Sequence, residues 1–260
     1  MNFDTYTEEM RKSIWDKAFF MDKIIGAKCI IDFGCADGSL IFMLADMFPE
    51  MNFYGFDHLP EMIERARANA RPNTHFYNSW GLVTMCDCIS HIYKPNEICL
   101  NFSSVLHEVF SSSPSGKDSI KHIIEKLNPK YITIRDMYYS GEDHQLRWKT
   151  INDIIDKLHI DNEYLDDFEL YHGSVATEKG LLHFLMKYQW KNNGWKQELH
   201  ENYFSWNLAD LFNLIDGRHL YSRLFEAYYL LPYYAEKWKD LGILPTIHHT
   251  HAQFILRRND

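Results

Sequence analysis

The chain has 260 residues, of which 46% are hydrophobic and 24% charged, a composition typical of a globular protein with one large domain. Its formal net charge of −9 disfavours a protein that holds nucleic acid mainly through phosphate contacts, because such contacts need clustered Lys and Arg. No apolar run approaches the roughly 18 residues of a membrane span, and the N-terminus is not typical of a signal peptide. We therefore expect a cytoplasmic protein without a membrane partner.

A helix is predicted over residues 1–25, before the first strand. Thr5 and Glu8 have the spacing of a capping box, and apolar residues then recur at helical spacing as far as Ile25. We expect the aromatic residues of this helix to pack in the core rather than to cover a ligand.

Residues 29–40 predict a buried strand, a tight loop and the start of a helix. Gly34 and Gly38 permit positive φ, and the new helix offers free N–H groups at the carboxyl edge of a sheet, so the loop favours a nucleotide-type ligand. Asp57 follows the next predicted strand, about twenty residues beyond the loop, where a βαβ unit places an acid that accepts hydrogen bonds from ribose. By itself Asp57 is equally consistent with a turn or a helix N-cap.

The segment Asp32-Phe33-Gly34-Cys35-Ala36-Asp37-Gly38 resembles the acidic-x-Gly-x-Gly-x-Gly motif of class I S-adenosylmethionine (SAM)-dependent methyltransferases, with Ala36 in place of the middle glycine. Residues 96–109 resemble the fourth-strand region of the same family, which flanks the methionine part of the cofactor. The resemblance implies SAM as the cofactor. The family commonly has an acid after the third strand; none occurs at 78–82, so a residue of 78–80 would replace it. The residues that we assign to the cofactor are Asp32, Gly34, Cys35, Ala36, Asp37, Gly38, Asp57, His58, Asn78, Ser79, Trp80, Asn101, Phe102 and Ser103.

The remaining pattern predicts a doubly wound α/β fold. Strands near 29–33, 52–57, 74–77, 96–101 and 131–134 alternate with helices, while 111–117 and 161–169 are predicted as loops. A helix closed by Gly217, a strand near 220–224, a helix near 232–241 and a last strand resemble the closing elements of the family, whose last strand is antiparallel. We expect a mainly parallel seven-stranded sheet with helices on both faces.

A mostly helical insertion is predicted over residues 138–204, between the cofactor-binding half at 26–137 and the closing elements at 205–260. Because it begins at a strand's carboxyl end and is rich in aromatic residues, a lid over the ligand is favoured over a separate subdomain for dimerisation. The subdomain alternative leaves a homodimer as an open question. The residues that we assign to the substrate are Arg135, Tyr188, Trp195 and Tyr203.

Methyl transfer needs an acceptor atom aligned with the S–CH₃ bond, and a base if the acceptor is a hydroxyl or an ammonium. Candidate bases near the predicted crevice include His144, Glu198 and Glu201, and we assign the catalytic role to Asp136 and His107. His107 and Glu108 are adjacent on a helix and are expected to face apart, which disfavours a joint metal role.

No metal site is predicted elsewhere. Cys86 and Cys88 have neither zinc spacing nor a second pair, and at most two of the histidines at 248, 249 and 251 converge on a strand.

The leading hypothesis is thus a methyltransferase acting on a small molecule, with the acceptor unidentified. Two alternatives stay open: a SAM-binding regulatory or scaffold protein without transfer activity, suggested by Ala36 and the missing acid, and an RNA or nucleotide methyltransferase, since bases stack on aromatic residues. A nicotinamide-dependent oxidoreductase is disfavoured because the loop lacks Gly-x-Gly-x-x-Gly.

Overall fold

A computed structural model describes residues 13–192, 194–215, 220–242 and 249–259. Its centre is a seven-stranded sheet in the order β3-β2-β1-β4-β5-β7-β6. The strands are β1 (Cys29–Phe33), β2 (Asn52–Phe56), β3 (Thr74–Tyr77), β4 (Ile98–Ser103), β5 (Tyr131–Met137), β6 (Tyr221–Tyr229) and β7 (His251–Arg258). The first five are parallel, and β7 lies antiparallel between β5 and β6. The predicted fold class and the antiparallel last strand are confirmed.

The central strands are buried along their length because helices cover both faces of the sheet, which explains their continuous apolar runs. Two large apolar clusters fill the two faces. Within the described residues, the helices that alternate with the strands or follow them are Ser39–Met47, Pro60–Ala68, Leu82–Ile92, Leu106–Ser112, Pro114–Leu127, Leu208–Leu214 and Pro232–Trp238.

The segment between β5 and Leu208–Leu214 forms a helical layer with an apolar core of its own. Its helices are Trp148–Leu158, Asn162–His172, Glu178–Tyr188 and Trp195–Glu198. We call this segment, residues 138–204, the insertion. The prediction of a loop over 161–169 is wrong, because all but the first of these residues belong to the helix Asn162–His172. This helix buries Phe168 completely in the core of the insertion.

Other boundaries also differ from the prediction. The N-terminal helix falls largely outside the described residues; within them only Ile14–Lys17 is helical, and residues 18–23 form turns. The loop predicted over 111–117 shrinks to Ser113, whose hydroxyl caps the next helix by accepting from the amide of Gly116. The strand predicted near 220–224 extends to Tyr229, and Gly217 lies outside the described residues.

Within the described ranges, every helix is too short or too polar to cross a bilayer.

Candidate active site

A cavity of about 620 Å³ opens at the carboxyl ends of the parallel strands. Asp32 of β1, Asp57 after β2, Ser103 of β4 and Arg135 of β5 all line it. The insertion supplies part of the wall through Gln189, Trp190, Gln197, Glu198, Glu201 and Tyr203. Its volume lies in the roughly 300–1,000 Å³ range of small-molecule sites.

The loop after β1 passes through positive φ at three residues: Gly34 at 81°, Ala36 at 47° and Gly38 at 81°. The amide of Gly34 donates to the Phe56 carbonyl at 2.8 Å, which brings the loop against the end of β2. A Cβ on Gly34 would lie 2.6 Å from Cγ2 of Val105, so the packing requires glycine there. Ala36 adopts the left-handed conformation despite its side chain.

Asp57 holds this loop from the end of β2. Its Oδ2 accepts from the Ala36 amide at 2.9 Å, and its Oδ1 accepts from the Leu59 amide at 2.9 Å. The carboxylate therefore has the turn role that the sequence left open, while it also lines the cavity. The ribose role stays a prediction.

Asp32 lies at the cavity floor and is 4% exposed. Nδ2 of Asn101 donates to its carboxylate at 2.7 Å, and Thr133 Oγ1 donates to Oδ1 of Asn101 at 2.8 Å. Burial raises the pKa of Asp32 to about 6, although the Asn101 hydrogen bond and the nearby Lys17 charge lower it. Asp32 is therefore a carboxylate at neutral pH that titrates in a readily accessible range.

Asp136 is fully buried on β5 and accepts hydrogen bonds with both oxygens. Oδ2 accepts from the amides of Val105, Leu106 and His107 at 3.1, 2.6 and 3.2 Å. Oδ1 accepts from Nδ1 of His107 at 2.7 Å. The structure corrects the expectation of a carboxylate facing the pocket: Asp136 anchors the start of the helix Leu106–Ser112 and orients His107.

His107 lines the cavity and is 3% exposed. Its Nε2 stands 3.9 Å from Oε1 of Glu108 and 3.9 Å from Oε2 of Glu201. Burial lowers the pKa of His107, but the carboxylates of Asp136, Glu108 and Glu201 outweigh burial and raise it to about 9. The expectation that His107 and Glu108 face apart is wrong, because the Glu108 side chain is long enough to place its Oε1 3.9 Å from Nε2 of the imidazole.

Two buried cations face the same cavity. Burial, helped by the charge of Arg135, lowers the pKa of Lys17 to about 8. Arg135 donates through Nε to Asp16 at 2.7 Å and through Nη1 to Ser104 Oγ at 2.7 Å. Its Nη2, like Oγ of Ser103, is buried without a hydrogen-bond partner among the described residues. These atoms leave hydrogen-bonding capacity for a ligand.

The insertion wall rests on a buried polar network. Lys187 Nζ donates to the Glu198 carbonyl, and the Tyr203 hydroxyl donates to the Glu198 carboxylate. Burial lowers the pKa of Lys187 and raises the pKa of Glu198. The Lys187 ammonium also lies 3.8 Å from the centroid of the Tyr203 ring. This network holds Tyr203 and Glu198 at the cavity.

The structure brings eight of the predicted cofactor residues to the cavity wall: Asp32, Gly34, Cys35, Ala36, Asp37, Asp57, His58 and Ser103. The predicted cofactor residues outside the cavity lining are Gly38, Asn78, Ser79, Trp80, Asn101 and Phe102. Trp80 is 92% exposed, and Phe102 is buried beside Phe33 on the opposite face of the sheet.

Of the predicted substrate residues, Arg135 and Tyr203 line the cavity. Tyr188 and Trp195 pack instead in the core of the insertion, 5.5 and 5.0 Å from the Tyr164 ring between centroids. Sequence reasoning missed Lys17, because nothing in the local pattern shows that the N-terminal segment folds across the carboxyl edge of the sheet.

Of the other metal candidates that the sequence excluded, Cys86 is buried and Cys88 is exposed, and neither forms a disulfide. His251 is buried at the cavity, whereas Nε2 of His249 accepts from the Ser140 amide at 3.0 Å. Residue 248 lies outside the described residues.

Comparison with known proteins gives one family match and one curated relative. Residues 26–201 match a family model described as a methyltransferase domain. Trans-aconitate 2-methyltransferase of Streptomyces coelicolor is 33% identical over 70 residues, which cover 27% of this chain and 22% of that protein. The aligned region thus spans less than a quarter of that relative.

Solved structures share the fold. A SAM-dependent methyltransferase from Mesorhizobium loti gives a TM-score of 0.52 at 12% identity, covering 95% of this chain and 98% of that one. A complex of the Haloferax volcanii Trm112 methyltransferase activator with a putative methyltransferase gives 0.54 at 11% identity, covering 99% and 96%. The plantazolicin methyltransferase BamL, in complex with a triazolic desmethylPZN analog and SAH, gives 0.52 at 13% identity, covering 99% and 88%.

Proposed function

The chain belongs to the class I SAM-dependent methyltransferases, and from that premise we propose that it methylates a small molecule held beneath the insertion. The observation that carries this proposal is that one continuous cavity extends from the loop at 34–38, which we call the glycine loop, to Glu201 and Tyr203 of the insertion. The net charge of −9 favours the same class of acceptor over nucleic acid. The names of the trans-aconitate and plantazolicin methyltransferases also describe acceptors that are not nucleic acids.

The residues of the cavity fit SAM. The loop at 34–38 and the Asp57 carboxylate face one end, while Lys17, Arg135 and Ser103 offer buried donors that match a carboxylate such as that of the methionine part. SAM supplies a methyl group on a sulfonium, whose sulfur keeps the electron pair when the methyl leaves. The protein then has to orient the acceptor and exclude water.

We assign the acceptor to the wall formed by His107, Glu108 and Glu201. These side chains line the same cavity as the loop at 34–38, and Glu201 belongs to the insertion. A carboxylate there is suitably placed to take a proton from an acceptor hydroxyl or ammonium. In this proposal the insertion acts as the lid, and Asp136 is a positioning residue rather than the base.

The acceptor class is tested by incubating the protein with SAM labelled on the methyl group and two pools, a low-molecular-weight cell filtrate and total RNA. We expect label in the filtrate products. Label confined to RNA would favour the nucleotide alternative and overturn the small-molecule proposal.

Replacing Asp57 by alanine is expected to weaken SAM binding at least tenfold, about 1.4 kcal/mol. The change removes the acceptor for the Ala36 amide and the predicted ribose contact together. Calorimetric titration with SAM measures it. Asp46→Ala is the control, since Asp46 is an exposed aspartate on the helix that follows the same loop. Equal affinities of a folded Asp57→Ala variant and wild type would contradict the assignment.

SAM binding is expected to depend on pH through Asp32. Its pKa of about 6 is raised by burial, so the carboxylate that attracts the cationic sulfonium and ammonium of SAM is lost as the pH falls below 6. The affinity of the wild type for SAM should be about tenfold lower at pH 5 than at pH 7. In Asp32→Asn the affinity should not change over this range. Asp32 would be excluded as the titrating group if the SAM affinity of the wild type did not change with pH. It would also be excluded if Asp32→Asn showed the same pH dependence as the wild type.

A further inference from the structure

We propose that His107, Glu108 and Glu201 form a binding site for a divalent metal ion. Each offers one ligand atom, and the three atoms lie within 4.8 Å of one another. They come from two separate parts of the chain: His107 and Glu108 from the helix after β4, and Glu201 from the end of the insertion. The fold, rather than a local run of acidic residues, brings them together.

The orientation of His107 is that of a metal ligand. Its Nδ1 bonds to Asp136 at 2.7 Å, and three backbone amides hold Asp136 in turn. A carboxylate on one ring nitrogen fixes the tautomer and leaves the lone pair of the other nitrogen for the metal. His107 is only 3% exposed, and its Nε2 has no hydrogen bond to any described residue.

The spacing around Nε2 leaves room for an ion. Nε2 lies 3.9 Å from an oxygen of Glu108 and 3.9 Å from an oxygen of Glu201, which is too far for a hydrogen bond. Ligand atoms that are each about 2.0–2.2 Å from one ion stand roughly 3–4 Å apart. The Tyr203 ring closes one side of the imidazole, edge to face at 5.5 Å between centroids.

The ligand chemistry indicates which ions fit. One imidazole nitrogen and two carboxylates suit Mn²⁺, Fe²⁺ or Zn²⁺ and leave coordination positions for water or substrate. The two glutamate side chains supply oxygen ligands from one wall, and binding of the ion releases whatever protons the three ligand groups hold in its absence.

The site opens into the cavity where we place the acceptor, so the ion would hold an acceptor through its oxygen atoms. An acceptor with a hydroxyl beside a carboxylate, carbonyl or second hydroxyl matches this requirement. The identity of the acceptor rests on the proposed function, whereas the binding of the ion does not.

The experiment titrates the chelator-treated full-length protein with Mn²⁺ alone and follows free Mn²⁺ by electron paramagnetic resonance. We expect one saturable site per chain in the wild type and at least tenfold weaker binding in Glu201→Gln and Glu108→Gln. Glu50→Gln, at an exposed glutamate remote from the cavity, should bind Mn²⁺ like wild type. Circular dichroism verifies that each variant is folded.

Wild-type protein without a saturable site, or with the same affinity as folded Glu201→Gln, overturns the inference. Calorimetry with SAM in the presence of chelator separates this outcome from failure of the proposed function. SAM binding without a Mn²⁺ site overturns the metal site alone. A Mn²⁺ site weakened by Glu201→Gln, in a protein that does not bind SAM, supports the metal site and contradicts the proposed cofactor cavity.

Discussion

Replacing Asp136 by alanine is expected to lower the free energy of unfolding by about 3–5 kcal/mol, the range for removing one partner of a buried charged pair. The reason is that the Asp136 carboxylate is fully buried; its Oδ2 accepts from three backbone amides, and its Oδ1 accepts from the Met137 amide and from the imidazole of His107. Alanine leaves these donors buried without an acceptor, each at a cost of about 1–3 kcal/mol where no water reaches it. Urea denaturation followed by circular dichroism measures the loss.

Asp153→Ala is the matched control, because Asp153 is an exposed aspartate on a helix of the insertion. Its stability should stay within about 0.5 kcal/mol of wild type. Asp136→Asn should fall between the two, since the amide keeps one acceptor oxygen but turns an N–H group toward other donors. A loss below about 1 kcal/mol in Asp136→Ala, on the scale of one ordinary hydrogen bond, would contradict the anchoring role.

The strands that carry the cavity could be predicted from the sequence because each signal is local. An apolar run ending at a glycine or an aspartate specifies both a buried strand and its carboxyl end, as at Cys29–Phe33 and Asn52–Phe56. The order of the first five βα steps then follows from the parallel fold. Asp57 reaches the cavity wall for this reason.

The side chains assigned around β4 were harder to predict, because consecutive residues of a strand point to opposite faces. Asn101, Phe102 and Ser103 were assigned together to the cofactor, but they divide among three environments. Ser103 lines the cavity, Asn101 bonds to Asp32 beneath it, and Phe102 packs beside Phe33 in the core. Alternation along the strand predicts only that Phe102 points away from the face that Asn101 and Ser103 share.

The contacts between distant segments could not be predicted. Asp136 meets the amides at 105–107 across 29 to 31 residues of sequence, and Glu201 meets His107 only because the insertion folds back over the sheet. Lys17 reaches the same cavity from the N-terminal segment. Such long-range contacts depend on tertiary packing, which neither periodicity nor spacing encodes.

Replacing Gly34 by alanine is expected to cost about 2–5 kcal/mol of stability and to weaken SAM binding at least tenfold. Two effects add. A φ of 81° strains an L-residue by roughly 1–2 kcal/mol, and a Cβ that lies 2.6 Å from Cγ2 of Val105 overpacks the core by roughly 1–3 kcal/mol. Val105 cannot retreat without cost, because its amide donates to Asp136 at 3.1 Å. The loop must move instead, and it carries Ala36 and the cavity edge with it.

Gly26→Ala separates the two effects. Gly26 has nearly the same φ, 84°, but a Cβ there has nothing within 4 Å, so only the backbone strain of roughly 1–2 kcal/mol applies. We expect Gly26→Ala to bind SAM as wild type does, while Gly34→Ala loses both stability and affinity. Equal losses in the two variants would attribute the role of Gly34 to its φ alone. The clash with Val105 would then have no part in fixing the loop, and the close approach of the segment after β4 to the glycine loop would not be what shapes this end of the cavity.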